Sequence, residues 1–298
     1  MSDHEDRFAL DQVTRMEDIV SETRKDFAEC LARAKDGEAR KLISALESRT
    51  SAVLEEIRQK VAAGRIRPDL ALRLSINDAP VVWPAKQVER VGFFATAGNP
   101  LYWGHIYFAL CAILELDLNT VVVSVVGDHP DKRGIKQSKE HRRAIARCAL
   151  QYFAPLLRYT PLGFDNMKIG EENASELLLL NYDLPLEVFY IAGGDVHEIA
   201  AANLAACRVL LKPRDGSETP HLRGLLFPRA QVQSPAEELC RKYPFLELAR
   251  RTYKPFPTVR GQELSSSMFR ADPDIPILPS RALDYILKQG LYRGDKSL

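Results

Sequence analysis

The sequence is poor in cysteine, in net charge and in long apolar runs. Its 298 residues hold five cysteines, Cys30, Cys111, Cys148, Cys207 and Cys240, with no CxxC pair among them. Dispersed single thiols argue against a disulfide framework or a thiolate zinc site and suit reduced core cysteines. Lysine plus arginine total 41 against 40 aspartates and glutamates, a net charge of +1. That balance provides no field of the kind a dedicated nucleic-acid or membrane-surface protein uses. No apolar run approaches the ~18–20 residues of a membrane span. The opening MSDHEDRFALDQV is acidic and lacks an apolar h-region, so no secretory signal is expected. No heptad is sustained over three or four repeats, which argues against a long coiled coil. Internal repeats and low-complexity tracts are likewise missing. What remains is 46% hydrophobic and 27% charged, an ordinary globular composition with ample material for a core. The expectation is a cytoplasmic protein of one large domain or two.

From Asp11 to Ala63 there is one glycine and no proline. Apolar residues recur there at helical spacing: Met16, Ile19, Val20, Phe27 and Leu31, then Leu42, Leu46, Val53, Leu54, Ile57 and Val61 beyond Asp36-Gly37. The pattern predicts two or three amphipathic helices with Gly64 as a stop. Residues 1–75 therefore read as a helical extension, either a layer packed on the main domain or a surface for homo-oligomers. Residues 76–88 read as a linker, and residues 89–298 as an α/β domain. Its buried strands are predicted at Arg90–Ala95, Thr120–Gly127 and Glu187–Ala192, with shorter ones at Arg208–Lys212 and Leu225–Phe227. Helices are predicted from His105 to Leu116, after a Ser138 cap, from beyond Asp195 to Ala206, and after Ser234-Pro235. Continuous apolar strands alternating with helices predict a doubly wound parallel sheet covered on both faces. Ligands then belong at the carboxyl ends of the strands, near the point where strand order reverses.

The first strand runs directly into Thr96-Ala97-Gly98-Asn99-Pro100-Leu101-Tyr102-Trp103-Gly104-His105. Small residues there let a ligand approach the backbone, and the helix that follows points its amides and positive dipole end at the loop. A histidine at such a helix start can donate to a phosphoryl oxygen. Trp103 is either a stacking surface for a base or an aromatic buried against the N-terminal helices. Near the other end, Leu264-Ser265-Ser266-Ser267-Met268-Phe269-Arg270 sets hydroxyls ahead of a short helix that Asp272-Pro273 stops. Hydroxyls and an arginine in that arrangement suit an anion.

These two segments resemble the HxGH and ISSTxxR motifs of the nucleotidylyltransferases, most nearly those of the nicotinamide and nicotinate mononucleotide adenylyltransferases. Asn99, Pro100, Gly104 and His105 match the first motif, and Ser265, Ser266 and Arg270 match the second. Gly193-Gly194-Asp195 is similar to the family's GxD element. The run from Ile277-Leu278-Pro279-Ser280 to Gly290-Leu291-Tyr292 is similar to its closing helix. The resemblance spans Glu89 to Tyr292 and implies a Rossmann-like nucleotidylyltransferase fold. It further implies transfer of AMP from ATP to a mononucleotide, a step of NAD biosynthesis, with Mg²⁺ arriving on the ATP and no metal site in the protein.

On that resemblance His105 contacts the α-phosphate, Ser265, Ser266 and Arg270 hold the remaining phosphates, and Thr96, Ala97, Gly98, Asn99 and Gly104 line the nucleotide. Gly193 and Asp195 lie toward the ribose or base. Lys132, Arg133 and Lys136, in the basic loop after the second strand, and Arg142 or Arg143 behind them, are expected at a substrate phosphate. Arg214 and Arg229 are weaker candidates. Tyr102 stands where the family has the first histidine of HxGH. Tyrosine is bulkier and offers one hydrogen-bond donor, and losing a transition-state donor costs on the order of 10²–10³ in rate. Two alternatives follow: a nucleotide-binding protein without turnover, or the same chemistry with another phosphorylated acceptor or with CTP.

Overall fold

The structure, a computed structural model, describes residues 3–79, 88–126, 137–163, 169–193, 196–211, 221–228, 236–251 and 254–292, with side chains from residue 11 onward. Two long helices open it, α1 (Asp3–Arg33) and α2 (Gly37–Ala62). There follow β1 (Glu89–Thr96), α3 (Trp103–Leu116), β2 (Thr120–Val125), α4 (Lys139–Leu150), β3 (Leu157–Thr160) and α5 (Gly170–Leu180). The second half contains β4 (Leu186–Gly193), α6 (His197–Leu210), β5 (Leu222–Phe227), α7 (Ala236–Lys242), β6 (Leu246–Leu248), α8 (Ser266–Ala271) and α9 (Ser280–Gln289).

The six strands form one sheet in the order β3-β2-β1-β4-β5-β6, every neighbouring pair parallel. This is the Rossmann-like, doubly wound arrangement, and its order reverses between β1 and β4. Side chains alternate between the two faces with the period of two that a strand imposes. Phe94, Val121, Val123, Phe189 and Ile191 enter one core, with α3, α4 and α9. Phe93, Val122, Val188, Tyr190 and Ala192 enter the other, with α5 and α6. Burial on both faces is why these strands are apolar without alternation in the sequence. At the amino end of the sheet, Glu187 joins Arg90 and Arg223, each at 3.2 Å, and Arg223 also meets Glu247 at 2.8 Å. The two guanidiniums lie over the Phe189 ring, at 4.8 and 5.4 Å.

The helical hairpin α1–α2 shares the first of these cores. Asp36 caps α2 by accepting from Ala39 N at 2.7 Å, which ends the break at Asp36-Gly37. Leu42, Leu46, Val53, Leu54 and Ile57 of α2 are buried, as their spacing predicts, and α2 packs along α3. Phe27 of α1 stacks on Trp103, ring centroids 4.1 Å apart, and both are fully buried. Asp26 accepts from Ser280 N at 2.6 Å and from Tyr152 Oη at 2.8 Å, so α1 also caps α9. Burial pushes the Asp26 carboxyl above the ordinary aspartate range.

One predicted strand is overturned. Arg208–Leu210 is the last turn of α6, where Leu204 and Cys207 face the core at helical spacing and Leu210 is 84% exposed. Its β-prone composition finds no neighbouring strand, and Lys212 lies outside the described residues. Leu225–Phe227 is the second half of β5. The pair β3 and β6, four and three residues long, was not predicted at all. Ser234-Pro235 lies outside the described residues, just ahead of α7. All five cysteines are free. Among the described residues no helix is long and apolar enough to cross a membrane.

Replacing Phe27 by alanine removes a fully buried ring from a shared core and is expected to cost about 3–5 kcal/mol. Urea unfolding of the full chain measures it, and a loss under about 1 kcal/mol would contradict a common core for α1 and α3.

Candidate functional site

The chain leaves β1 through Ala97 and Gly98 into Asn99 and Pro100, joined by a cis peptide bond. Gly98 takes φ +53°, and a Cβ there would stand 3.0 Å from Val125 Cγ2, so glycine is favoured on both counts. Its N–H donates to Thr96 Oγ1 at 3.2 Å. The loop is half-buried to buried, and its carbonyls need partners that the sheet does not provide.

Those partners come from distant elements. Arg142 of α4, with no exposed surface, donates through Nη1 to Ala97 O at 2.6 Å and to Val126 O at 2.9 Å. Arg270 of α8 donates to Asn99 O at 2.6 Å and to Ser267 Oγ at 2.8 Å. Ser266 Oγ donates to Pro100 O at 3.1 Å. Tyr292 Oη donates to Asn99 Oδ1 at 2.7 Å. Burial raises the Tyr292 pKa, against the opposing pull of Arg270 and Arg142, so the phenol stays a neutral donor. Ser265 accepts from Met268 N at 3.1 Å and so caps α8.

His105 lies in the first turn of α3, half-buried. Its Nδ1 accepts from the Tyr102 N–H at 3.4 Å, and its Nε2 lies 3.4 Å from Thr96 Oγ1. An accepting Nδ1 assigns the proton of a neutral ring to Nε2, the nitrogen turned toward the end of β1. Tyr102 itself lies edge-on to His105, centroids 4.2 Å apart, and its hydroxyl donates to Leu264 O at 3.4 Å. The ring covers Gly104 so closely that a Cβ there would fall 2.3 Å from Tyr102 Cε2. The Trp103 N–H donates to Ile277 O at 2.9 Å, which removes the first amide of α3 from any ligand.

Thus the structure brings together Thr96, Ala97, Gly98, Asn99, Tyr102, Gly104, His105, Ser265, Ser266 and Arg270 at the carboxyl end of β1. Gly193 closes β4, the adjacent strand across the point of reversal. Asp195 lies outside the described residues, as do Lys132, Arg133, Lys136, Arg214 and Arg229. Arg143 lies apart, its guanidinium 5.8 Å from the Tyr159 ring of β3. Of the two arginines weighed, Arg142 is the one that grips the loop, and its helical spacing to Ile145 and Ala149 marks it for the buried face of α4. Trp103 is an internal aromatic stacked on Phe27, closed to a ligand base. The bond from Tyr292 to Asn99 was not anticipated, although its segment was. Among the described residues no cluster of three or more histidines, cysteines, aspartates or glutamates is placed to hold a metal ion.

No family model matches the chain. No curated protein matches it either. Among solved structures, it is similar to the Plasmodium falciparum nicotinic acid mononucleotide adenylyltransferase complexed with APC, at 14% identity and a TM-score of 0.46. The same enzyme complexed with NaAD gives 15% identity and a TM-score of 0.48. Each match covers 68% of this chain and 97% of the other. Similarity at this level assigns no activity.

Exchanging Arg142 for methionine leaves two half-buried carbonyls, of Ala97 and Val126, without their charged donor. At ~1.5–3 kcal/mol for each hydrogen bond to a charged group, the expected loss is about 3 kcal/mol or more. Chemical denaturation reads it, and a near-neutral exchange would show that the loop does not depend on α4.

Proposed function

We propose that the chain binds ATP at the carboxyl end of β1 and transfers its AMP moiety to the phosphate of a mononucleotide, nicotinate or nicotinamide mononucleotide, with release of pyrophosphate. One observation carries the reading. Two segments about 160 residues apart, each bearing phosphate-suited side chains at spacing that resembles a nucleotidylyltransferase motif, are bonded to each other beside the point where strand order reverses.

The reaction needs no protein nucleophile. It needs in-line placement of two phosphates and neutralisation of charge around the phosphorus under attack. His105, with its proton on Nε2, donates to the α-phosphate as charge develops there. Arg270 exchanges a neutral acceptor, the Asn99 carbonyl, for the β- and γ-phosphates, with which a guanidinium bonds more strongly. The hydroxyls of Ser265 and Ser266 lie beside that path. Mg²⁺, arriving with the nucleotide as its counter-ion, would supply further charge neutralisation at the phosphates beside Arg270.

A second reading is favoured by Tyr102. Its ring rests on Gly104 and its hydroxyl is engaged with Leu264 O, so it contributes bulk where the family motif has a histidine. On this reading the chain binds the nucleotide and does not turn it over.

Pyrophosphate release from ATP and Mg²⁺ with each mononucleotide in turn separates the two. The expected result is turnover with one acceptor that falls by at least about 10²-fold in His105→Ala, the size of a lost transition-state donor. Binding of ATP by calorimetry without turnover would support the second reading, and neither binding nor turnover would dismiss the site.

A further inference from the structure

The segment that leads into α8 is held from outside the α/β domain. Val259 and Gln262 pair across a two-residue turn whose central positions are Arg260, φ +50°, and Gly261, φ +75°. Positive φ at both positions belongs to a turn that glycine or asparagine occupies with least steric cost. An arginine at the first position is therefore strained, and its contacts show what the strain accompanies.

Arg260 touches three acidic residues from two directions. Its backbone N–H donates to Glu38 Oε2 at 2.7 Å, in the first turn of α2. Its guanidinium donates to Asp36 Oδ2 at 3.1 Å, the cap of the same helix, and to Asp272 at the end of α8. Beside it Lys35 meets Asp274 at 2.7 Å. Arg49, further along α2, donates to the carbonyls of Lys254 and Pro255. The turn between α1 and α2 is thereby tied to both flanks of residues 264–270. The hairpin holds the other half of the site as well, through Phe27 stacked on the first residue of α3.

We propose that Arg260 is a positioning residue: by bridging the α1–α2 turn to Asp272, it sets how segment 264–270 meets loop 96–102, and it makes the N-terminal hairpin a structural part of the site. The Arg260 side chain is 64% exposed, so these ion pairs are screened and add little to global stability. Their effect is on the placement of a short surface segment, where local opening is governed by local contacts. The consequence for nucleotide rests on the adenylyl-transfer reading. The consequence for the segment does not.

Arg260→Gly provides the test, because it removes the guanidinium and also relieves the strained backbone. Its thermal midpoint is expected within about 3 °C of the parent, consistent with screened surface charges. Amide hydrogen exchange of the full chain without nucleotide is expected to quicken about tenfold in residues 262–271 and to stay unchanged in α3 and α4. Arg260→Lys, which can reach one carboxylate, is expected to recover part of that protection. With ATP and Mg²⁺, KM for ATP rises about fivefold or more while kcat stays within about twofold, the mark of a lost placement for binding. Unchanged exchange in residues 262–271 of Arg260→Gly would overturn the proposal. Exchange that responds as expected in a chain whose parent binds no ATP would sustain the positioning role and remove the nucleotide reading alone.

Discussion

The arrangement depends on how three backbone carbonyls are satisfied. Ala97, Asn99 and Pro100 leave β1 in a half-buried to buried loop outside the ladder of the sheet, and a carbonyl withdrawn from water without a partner costs as much as a lost hydrogen bond. Arg142, Arg270 and Ser266 supply the donors, from α4 and α8. Loop 96–102 and segment 264–270 must therefore fold against each other. Cationic and hydroxyl groups are drawn to the carboxyl edge of the sheet, where the parallel topology already favours a ligand. The bonds that complete the fold are also those that assemble the candidate site.

The N-terminal hairpin follows the same logic at larger scale. Its apolar stripe is buried against α3, its Phe27 fixes the Trp103 end of that helix, and its Asp26 caps α9. Its polar turn grips the strained Arg260 turn that feeds α8. Helices that read as an extension in the sequence thus touch α3, α9 and the segment that leads into α8. A chain beginning near Ile76 would lose Leu42, Leu46, Leu54 and Ile57, all fully buried here, and would expose the face of α3 that they cover.

Much of this was readable from the residues, for physical reasons. Strands buried on both faces are apolar without interruption, so β1, β2 and β4 stood out, and loop 96–105 with residues 264–270 could be singled out as anion-suited. The very short β3 and β6 fall below the length at which a pattern shows, and the end of α6 carries β-prone residues that no strand pairs. Contacts between distant parts of the chain were beyond reach. Nothing local tells that Arg270 seeks the Asn99 carbonyl, that Tyr292 donates to the Asn99 side chain, or that Arg260 faces Asp36 across 224 residues. Arg142 was open to inference, since its spacing to Ile145 and Ala149 places it on the buried face of α4.

The most direct test is a crystal structure of the full chain with Mg²⁺ and a non-hydrolysable ATP analogue. The account predicts the triphosphate between His105 and α8, with the Arg270 guanidinium moved from the Asn99 carbonyl onto phosphate oxygens. A nucleotide bound elsewhere, or one bound there with Arg270 still on Asn99 and His105 out of reach of the α-phosphate, would contradict it.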